Sequence, residues 1–353
     1  MSYGLQYIQL LKSPPSCVAL NKSFKVVLTI TNDLTDEKCY DEITLECKVY
    51  DGNGQEFNGL RLKDGANTIN YNPYNGGFCS FEATLTQLPP CGTGTAQLMA
   101  HAVSTPRPSS SDNVDSLMAM IGSNSLIIPV WTTSFRVVKN TKTAPDSDNQ
   151  HQCERRLQLC ANQQLRILED KEESIARHLW DSGVAMCCFL ASAASPSNNP
   201  TIRINHSSVV IELGSGTGLA GICAALLFKP RKTILTDLDD ALELLRSNAR
   251  LNSSSAPIEI QELDWNECAA VRSSLPEKID TILLSDVLYN QEKHDVLLEA
   301  LDLLATPNTQ VLLAAKERHV DERIFWEKIR GKWKAKLLYR VLSSEIFELQ
   351  KLQ

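Results

Sequence analysis

The chain has 353 residues, of which 43% are hydrophobic and 22% charged, and its formal net charge is −7. This composition is typical of a globular protein and excludes a disordered or fibrous one, while a length well above the roughly 100–200 residues of one domain predicts two domains. Because nucleic-acid binding needs clustered Lys and Arg and the chain concentrates neither, we expect no nucleic-acid partner.

The cysteines and histidines form no pattern of a disulfide framework or a metal site. Eleven cysteines run from Cys17 to Cys268 without a C-x-x-C pair, which is typical of buried thiols in a reducing compartment. The histidines lack partners at metal-ligand spacing. The N-terminus lacks signal-peptide features, and the longest apolar stretch, 184–194, is shorter than the roughly 20 residues that span a bilayer. We expect a protein of the cytoplasm, or also of the nucleus, without a membrane partner.

The first part of the chain has the alternating pattern of short strands. Turn-rich clusters such as D-G-N-G-Q separate these apolar-polar segments, a spacing that predicts an all-β, sandwich-like module over residues 1–139. A polar connection at 104–116 precedes a last strand at 125–138. The earlier strands are predicted at 24–30, 43–50, 67–71, 78–85 and 95–103.

A polar segment without apolar periodicity follows this module. Residues 139–155 are rich in Pro, Asp, Asn, Gln and Ser, a composition typical of a linker. We assign a linker to 140–159 and a second domain to 160–353.

In the second domain strands alternate with helices, which predicts an α/β fold with a parallel sheet covered on both faces. The two last segments, 336–342 and 344–352, are strands with almost nothing between them and must pair as an antiparallel hairpin. Five β/α steps closed by a hairpin are the seven-stranded, doubly wound, Rossmann-like arrangement of methyltransferases, whereas a dinucleotide-binding domain continues with a sixth parallel strand.

The glycine-rich stretch I-E-L-G-S-G-T-G-L-A-G at 211–221 can be interpreted in two registers. The spacing of Gly216, Gly218 and Gly221 fits the dinucleotide fingerprint, with Asp237 about 20 residues further on. The other register suits an S-adenosylmethionine pocket and consists of Glu212, Gly214, Gly216 and Gly218. The closing hairpin favours the second register and leaves Gly221 as a packing residue of the following helix.

Polar and aromatic residues follow the other strands, and ligands of open parallel sheets bind at the carboxyl ends of strands. Asp237 ends the second strand and is suited to accept hydrogen bonds from ribose hydroxyls. Asp264 and Trp265 follow the third strand, where an acceptor and a flat apolar ring suit adenine. Asp286 and Tyr289 follow the fourth strand, over the expected position of the methyl donor.

With these motifs, the sequence over about 160–353 resembles the seven-β-strand protein-lysine methyltransferases of the methyltransferase-like class. D-V-L-Y at 286–289 matches their D-x-x-Y motif, and W-D-S-G at 180–183 matches an upstream motif whose Trp lines the cofactor pocket. The resemblance implies S-adenosylmethionine as cofactor and a protein substrate. It implies cofactor contacts at Trp180, Gly214, Ser215, Gly216, Asp237, Trp265 and Ser285.

A lysine acceptor gives Asp286 and Tyr289 distinct roles. Methyl transfer needs a neutral amine, yet a free lysine has a pKa of about 10.4. We expect Asp286 to orient the incoming ammonium first and to accept its proton second, while Tyr289 hydrogen-bonds or encloses the side chain. The proton leaves through water.

Other functions remain open at this stage. The nearest is a methyltransferase for another nucleophile, namely a histidine, an arginine or a small molecule. A nicotinamide-dependent oxidoreductase is a second, and an inactive methyltransferase-fold interaction protein is a third. The first 140 residues resemble no family, and the module either recruits the substrate or tethers the enzyme.

Overall fold

The computed structural model describes residues 4–63, 65, 67–103, 113–139, 151–170, 175–195, 201–252 and 257–352. The chain divides into two compact units. The N-terminal unit comprises 1–109, 121–157 and 168–172, and the C-terminal unit comprises 110–120, 158–167 and 173–353.

The N-terminal unit is built from strands in two sheets. One sheet has the order β5-β7-β3-β1-β9; the other has the order β13-β12-β10-β8-β11-β2, with β4 paired to β8 and to β6. The strands are β1 (Gln6–Lys12), β2 (Cys17–Ala19), β3 (Ser23–Thr31), β4 (Ile43–Asp51), β5 (Leu60–Leu62), β6 (Thr68–Tyr71), β7 (Cys79–Leu85), β8 (Thr95–Ala102), β9 (Ile127–Ile128), β10 (Val130–Thr132), β11 (Phe135–Val138), β12 (Gln152–Cys160) and β13 (Gln163–Asp170).

Alternating side chains of both sheets form one hydrophobic core. Val26 and Leu28 of β3 belong to the same buried cluster as Leu45 of β4 and Leu98 of β8. Because successive strand residues point to opposite faces, a period of two buries one face of each sheet.

The region around Pro129 corrects the single strand predicted at 125–138. The structure has β9, β10 and β11 there instead. β9 pairs with β1 in the first sheet, whereas β10 pairs with β8 in the second. Pro129 separates them and has no N–H for a ladder, so the chain changes sheets at this residue.

Helix α1 (Val114–Ile121) corrects the predicted connection at 104–116, which overlaps its first turn. The remaining residues of that connection, 104–112, lie outside the described residues.

Strand β12 corrects the predicted linker at 140–159. Residues 140–150 lie outside the described residues, but Gln152–Cys160 form a strand between β10 and β13. Glu154 and Arg155 of this strand are charged, yet both side chains are buried. Arg155 donates from Nε to Glu169 (2.5 Å) and from Nη1 to the Pro129 carbonyl (3.0 Å). Paired in this way, the charges are compatible with a buried strand.

The C-terminal unit alternates strands and helices. Its strands are β14 (Val209–Leu213), β15 (Lys232–Asp237), β16 (Ile258–Glu262), β17 (Thr281–Ser285), β18 (Gln310–Lys316), β19 (Trp333–Val341) and β20 (Ser344–Lys351). Its further helices are α2 (Asp181–Ala193), α3 (Leu219–Phe228), α4 (Asp239–Leu251), α5 (Cys268–Val271), α6 (His294–Leu304) and α7 (Ile324–Lys328). Short 3-10 turns cover Ile175–Arg177, Trp265–Glu267, Arg272–Ser274, Gln291–Lys293 and Val320–Arg323.

The sheet of this unit has the order β16-β15-β14-β17-β18-β20-β19. The strands β14 to β18 are parallel, and β20 is antiparallel to β18 and β19. The α/β class and the closing hairpin agree with the predicted pattern. The chain places β15 and β16 on one side of β14 and then β17 and β18 on the other side. At such a reversal of strand order a crevice opens between the carboxyl ends of the two central strands, here β14 and β17.

Helices cover both faces of this sheet. Ile211 and Leu213 of β14 pack in a buried cluster with residues of α5, α6 and α7. Glu212, between them, points to the opposite face and bonds to α3. Over the described ranges, no helix is long and apolar enough to span a membrane.

Candidate active site

The loop after β14 follows a backbone path that requires glycine. Gly214, Gly216 and Gly218 have φ values of 67°, 54° and 81°, in the left-handed region that glycine adopts without a steric penalty. Ser215 ties the loop to β15, because its N–H donates to the Thr236 carbonyl (2.9 Å) and its Oγ accepts from the Thr236 N–H (3.1 Å). The loop therefore has a fixed shape.

Asp237 lies against this loop. Its Oδ2 accepts from the Gly216 N–H (2.6 Å) and its Oδ1 from the Leu238 N–H (2.7 Å). Burial raises the pKa of Asp237, and these two hydrogen bonds partly offset the shift. The structure thus brings together the glycine loop and the acid that the sequence assigns to the ribose.

Trp265 also reaches the loop, whereas Asp264 is exposed. A Cβ built on Gly214 would lie 3.3 Å from Cζ2 of Trp265, so the indole ring abuts the loop backbone. Asp264 Oδ1 accepts from the N–H and Nδ2 of Asn266 and caps the 3-10 turn, and these bonds lower the pKa of Asp264. Asp264 therefore has a structural role, and its contact with adenine stays a prediction.

Glu212 is buried beneath the loop. Its Oε2 accepts from the Gly221 N–H (3.0 Å), and burial raises its pKa to about 8. A Cβ on Gly221 would lie 2.2 Å from Cδ2 of Leu235. This close approach of α3 to the sheet confirms the prediction that Gly221 is a packing residue.

Trp180 and the turn before it lie next to the same loop. A Cβ on Gly216 would lie 2.8 Å from the Ala176 carbonyl oxygen, so the 3-10 turn covers the glycine closely. Trp180 immediately precedes α2, and its carbonyl accepts from the Val184 N–H (3.1 Å). The Arg318 guanidinium carbon lies 5.3 Å from the centroid of the Trp180 ring.

Asp286 follows β17 and is bonded to Arg318. Both carboxylate oxygens accept from the guanidinium, Oδ1 from Nη1 and Oδ2 from Nη2, the latter at 2.8 Å. Asp286 also has a φ of 59°, which is uncommon for a residue with a side chain. Its N–H donates to the Ala314 carbonyl of β18 (3.0 Å).

Tyr289 and Ser285 complete the predicted set. Tyr289 is 59% exposed, and partial burial followed by the charges of Asp237 and Asp240 raises its pKa. That influence indicates that the end of β17 and the end of β15 share one edge. Ser285 Oγ is buried and has no hydrogen-bond partner among the described residues.

The sequence analysis missed two charged residues at this edge, Lys316 and Arg318. Lys316 ends β18 and donates to Asp181 Oδ2 of α2 (2.7 Å), and Arg318 bonds Asp286. The strand-end rule, applied to the fifth strand as it was to the first four, would have indicated K-E-R at 316–318. Within the described residues, no group of His, Cys, Asp or Glu could hold a metal ion.

Some known proteins match about half of the chain, and another matches most of it. Residues 159–332 match the family model described as lysine methyltransferase. A zebrafish (Danio rerio) protein N-lysine methyltransferase METTL21A is 32% identical, over 49% of this chain and 76% of its own length. A protein-lysine N-methyltransferase EFM6 of Saccharomyces cerevisiae is 31% identical, over 47% of this chain and 74% of its own. A UPF0665 family protein of Schizosaccharomyces pombe is 29% identical over 88% of this chain and 90% of its own, so this match extends into the N-terminal unit.

The fold and the site define an S-adenosylmethionine-dependent methyltransferase. The chain belongs to the lysine methyltransferase family. This membership confirms the predicted activity, which is lysine methylation with S-adenosylmethionine as cofactor. It excludes the alternative hypothesis that the glycine loop binds the dinucleotide of an oxidoreductase.

Proposed function

We propose that the protein transfers a methyl group from S-adenosylmethionine to a lysine side chain of a protein substrate, at the carboxyl ends of β14 to β17. The observation that carries this proposal is the Asp286 carboxylate, which is 8% exposed after β17 and is bonded to Arg318, whose guanidinium lies over the Trp180 ring. The printed activities of METTL21A and EFM6 as protein-lysine methyltransferases support the substrate class.

The residues at this edge fit the cofactor. The loop backbone at Gly214 and Gly216 packs without side chains against Trp265 and Ala176, because a Cβ at either position would meet those residues. The Asp237 carboxylate retains acceptor lone pairs beyond the two amides it binds, which suits ribose hydroxyls. Trp265 offers a ring face for adenine, and Ser285 Oγ offers a buried polar atom without a partner in the described structure. When bound, S-adenosylmethionine supplies an electrophilic methyl carbon.

Asp286 and Tyr289 act on the acceptor. The Asp286 carboxylate accepts a hydrogen bond from the lysine nitrogen and fixes its direction toward the methyl carbon. The exposed Tyr289 encloses the aliphatic part of the lysine chain and hydrogen-bonds near its end. The amine proton passes to water at the open side, because a carboxylate is a weak base for an amine.

We further assign the C-terminal sheet to the seven-stranded methyltransferase arrangement, and the N-terminal unit to a sandwich-like module that recruits the substrate. The observed strand order supports the first assignment, and the shared core of the two N-terminal sheets supports the sandwich-like architecture in the second. We propose a cytoplasmic location, also nuclear, as the sequence predicts.

Labelling of cellular proteins tests the proposed function. The purified protein, incubated with tritiated S-adenosylmethionine and a lysate of its source cells, should label one or a few proteins on lysine. Asp286→Ala should strongly reduce the label. The control Asp321→Ala removes an exposed acid of the loop after β18 and should leave labelling unchanged.

Mass spectrometry of the labelled residue distinguishes the acceptor. Label found only on histidine, on arginine or in small molecules would show that the methyl acceptor is a nucleophile other than lysine. A wild type that binds S-adenosylmethionine but labels nothing would point to the inactive interaction protein, and undiminished labelling by Asp286→Ala would reject the assigned site.

A further inference from the structure

We propose that Arg318 is a positioning residue of the methyl-transfer site, which acts on the acceptor by holding the Asp286 carboxylate in one orientation. This inference rests on the proposed function, because it assigns a supporting residue to the same site. Neither the family resemblance nor the strand-end motifs of the sequence identified Arg318.

The first observation is the geometry of the pair. Arg318 binds both oxygens of Asp286, one to each terminal nitrogen of the guanidinium. The two side chains are only 13% and 8% exposed. A bidentate pair fixes direction as well as distance, and little water competes with it at this burial.

The second observation is that Asp286 needs such support. Its left-handed backbone, with φ at 59°, is uncommon for a residue with a side chain and persists where surrounding contacts enforce it. Strand β18 provides one contact through the Ala314 carbonyl, and Arg318, four residues later, provides the other. One segment thus holds both the backbone and the carboxylate.

The third observation is that Arg318 is itself held by groups other than Asp286. Its guanidinium lies over the Trp180 ring, and Nη1 also donates to the Lys316 carbonyl (3.4 Å). Its backbone N–H donates to Glu322 Oε2 (3.4 Å). Because the guanidinium and the backbone of Arg318 both have partners besides Asp286, we infer a permanent support and not a temporary occupant of the position taken by the substrate nitrogen.

The pairing also determines what the acceptor meets. The guanidinium uses lone pairs of both carboxylate oxygens, and the remaining lone pairs stay available for the lysine nitrogen. The positive charge of Arg318 balances Asp286, so the carboxylate serves as an oriented acceptor more than as a net negative charge.

A double-mutant cycle tests this role. The rates of lysine labelling, with tritiated S-adenosylmethionine and a fixed amount of lysate, are compared for the wild type, Arg318→Gln, Asp286→Asn and the double variant. Arg318→Gln should lower the rate about 10- to 100-fold while the affinity for S-adenosylmethionine, measured by calorimetry, stays within about threefold. In the Asp286→Asn background the same change should have no further effect, because both variants remove one interaction.

Two further variants separate positioning from stability and from surface charge. Arg318→Lys keeps the positive charge but lacks the planar guanidinium that binds both carboxylate oxygens, so it should give an intermediate rate. This variant supplies the test if Arg318→Gln does not fold. Arg323→Gln removes an exposed arginine of the same loop, bonded to Glu317, and should behave as the wild type.

Several outcomes overturn the inference. Effects that multiply in the double variant would mean that Arg318 acts independently of Asp286. A faster rate for Arg318→Gln would mean that the guanidinium blocks the acceptor position, and a parallel loss of cofactor affinity would assign Arg318 to cofactor binding. A wild type without any lysine labelling rejects both the proposed function and this role, whereas an active wild type with an equally active Arg318→Gln rejects only this role.

Discussion

Glu212 illustrates how a single buried residue combines a structural contact with an unusual charge state. Its carboxyl group lies under the glycine loop, accepts from the Gly221 N–H, and has a pKa raised from 4.5 to about 8 by burial. The protonated form is therefore favoured in the folded protein. The sequence predicted this residue as a cofactor contact, and that role stays a prediction beside the observed contact with α3.

The shifted pKa predicts how stability depends on pH. An acid with a raised pKa binds more protons in the folded than in the unfolded state, so its contribution is lost as the pH rises from about 4.5 to about 8. The loss is on the order of a few kcal/mol. Glu212→Gln keeps an acceptor for Gly221 but cannot ionise. The melting temperature of the variant, relative to that of the wild type, should therefore increase as the pH rises through this window. Parallel melting curves for the two proteins would contradict the shift.

Gly216 provides a second prediction at the scale of one residue. Gly216→Ala forces a side chain into φ 54° and sets its Cβ 2.8 Å from the Ala176 carbonyl oxygen, a backbone atom. We expect at least a tenfold loss of affinity for S-adenosylmethionine by calorimetry, about 1.4 kcal/mol or more. Gly331→Ala is the matched control, because Gly331 has φ 80° but no atom within 4 Å of the added Cβ. It should lower stability by about 1 kcal/mol through backbone strain alone and leave cofactor affinity unchanged.

At the scale of elements, α3 packs unusually close to the sheet at Gly221. An added Cβ would lie 2.2 Å from Leu235 and 2.6 Å from Glu212 Oε2. The helix, the strand and the buried carboxyl group therefore determine the residue at this position together.

Gly221→Ala tests this packing. Alanine favours a helix by about 1 kcal/mol, but the overlap with the sheet outweighs that gain, and we expect a net loss of about 1–3 kcal/mol in the free energy of unfolding. In the control Gly183→Ala, the added Cβ meets only the flexible end of Leu219, at 3.1 Å, and stability should change little. Denaturant unfolding of both variants measures the difference, and a stabilised Gly221→Ala protein would refute the packing role.

At the scale of the whole molecule, the residues of the hairpin of β12 and β13 are divided between the two compact units. Within the N-terminal unit, Gln97 donates to Glu154 of β12 (3.0 Å) and the Pro129 carbonyl accepts from Arg155 (3.0 Å). Within the C-terminal unit, Asn252 accepts from the Arg166 N–H of β13 (2.9 Å).

Truncation at the predicted boundary should therefore disturb β12. A fragment of residues 140–353 lacks β8 and β10 and leaves the buried charges of Glu154 and Arg155 without those partners. By hydrogen exchange, amides 152–157 should be protected in the full chain and exchange freely in the fragment, while the amides of β14 and β17 stay protected in both. Equal protection of 152–157 in the two proteins would show that the hairpin folds with the C-terminal unit alone.

The sequence by itself determined the elements whose signal is local. Hydrophobic period predicted the alternation of strands and helices, and it predicted both strands of the closing hairpin within three residues of β19 and β20, because these segments alternate apolar stretches with turn residues. The same local signals put Asp237, Trp265 and Asp286 at strand ends.

Only the tertiary structure decided which side chains at those ends meet. A charged strand such as β12 and a pair such as Asp286 and Arg318 depend on partners far apart in the chain. Such partners compensate the cost of burying charge, and a local pattern does not contain them. For the same reason the sequence identified the acid of the D-x-x-Y motif but not the arginine that holds it.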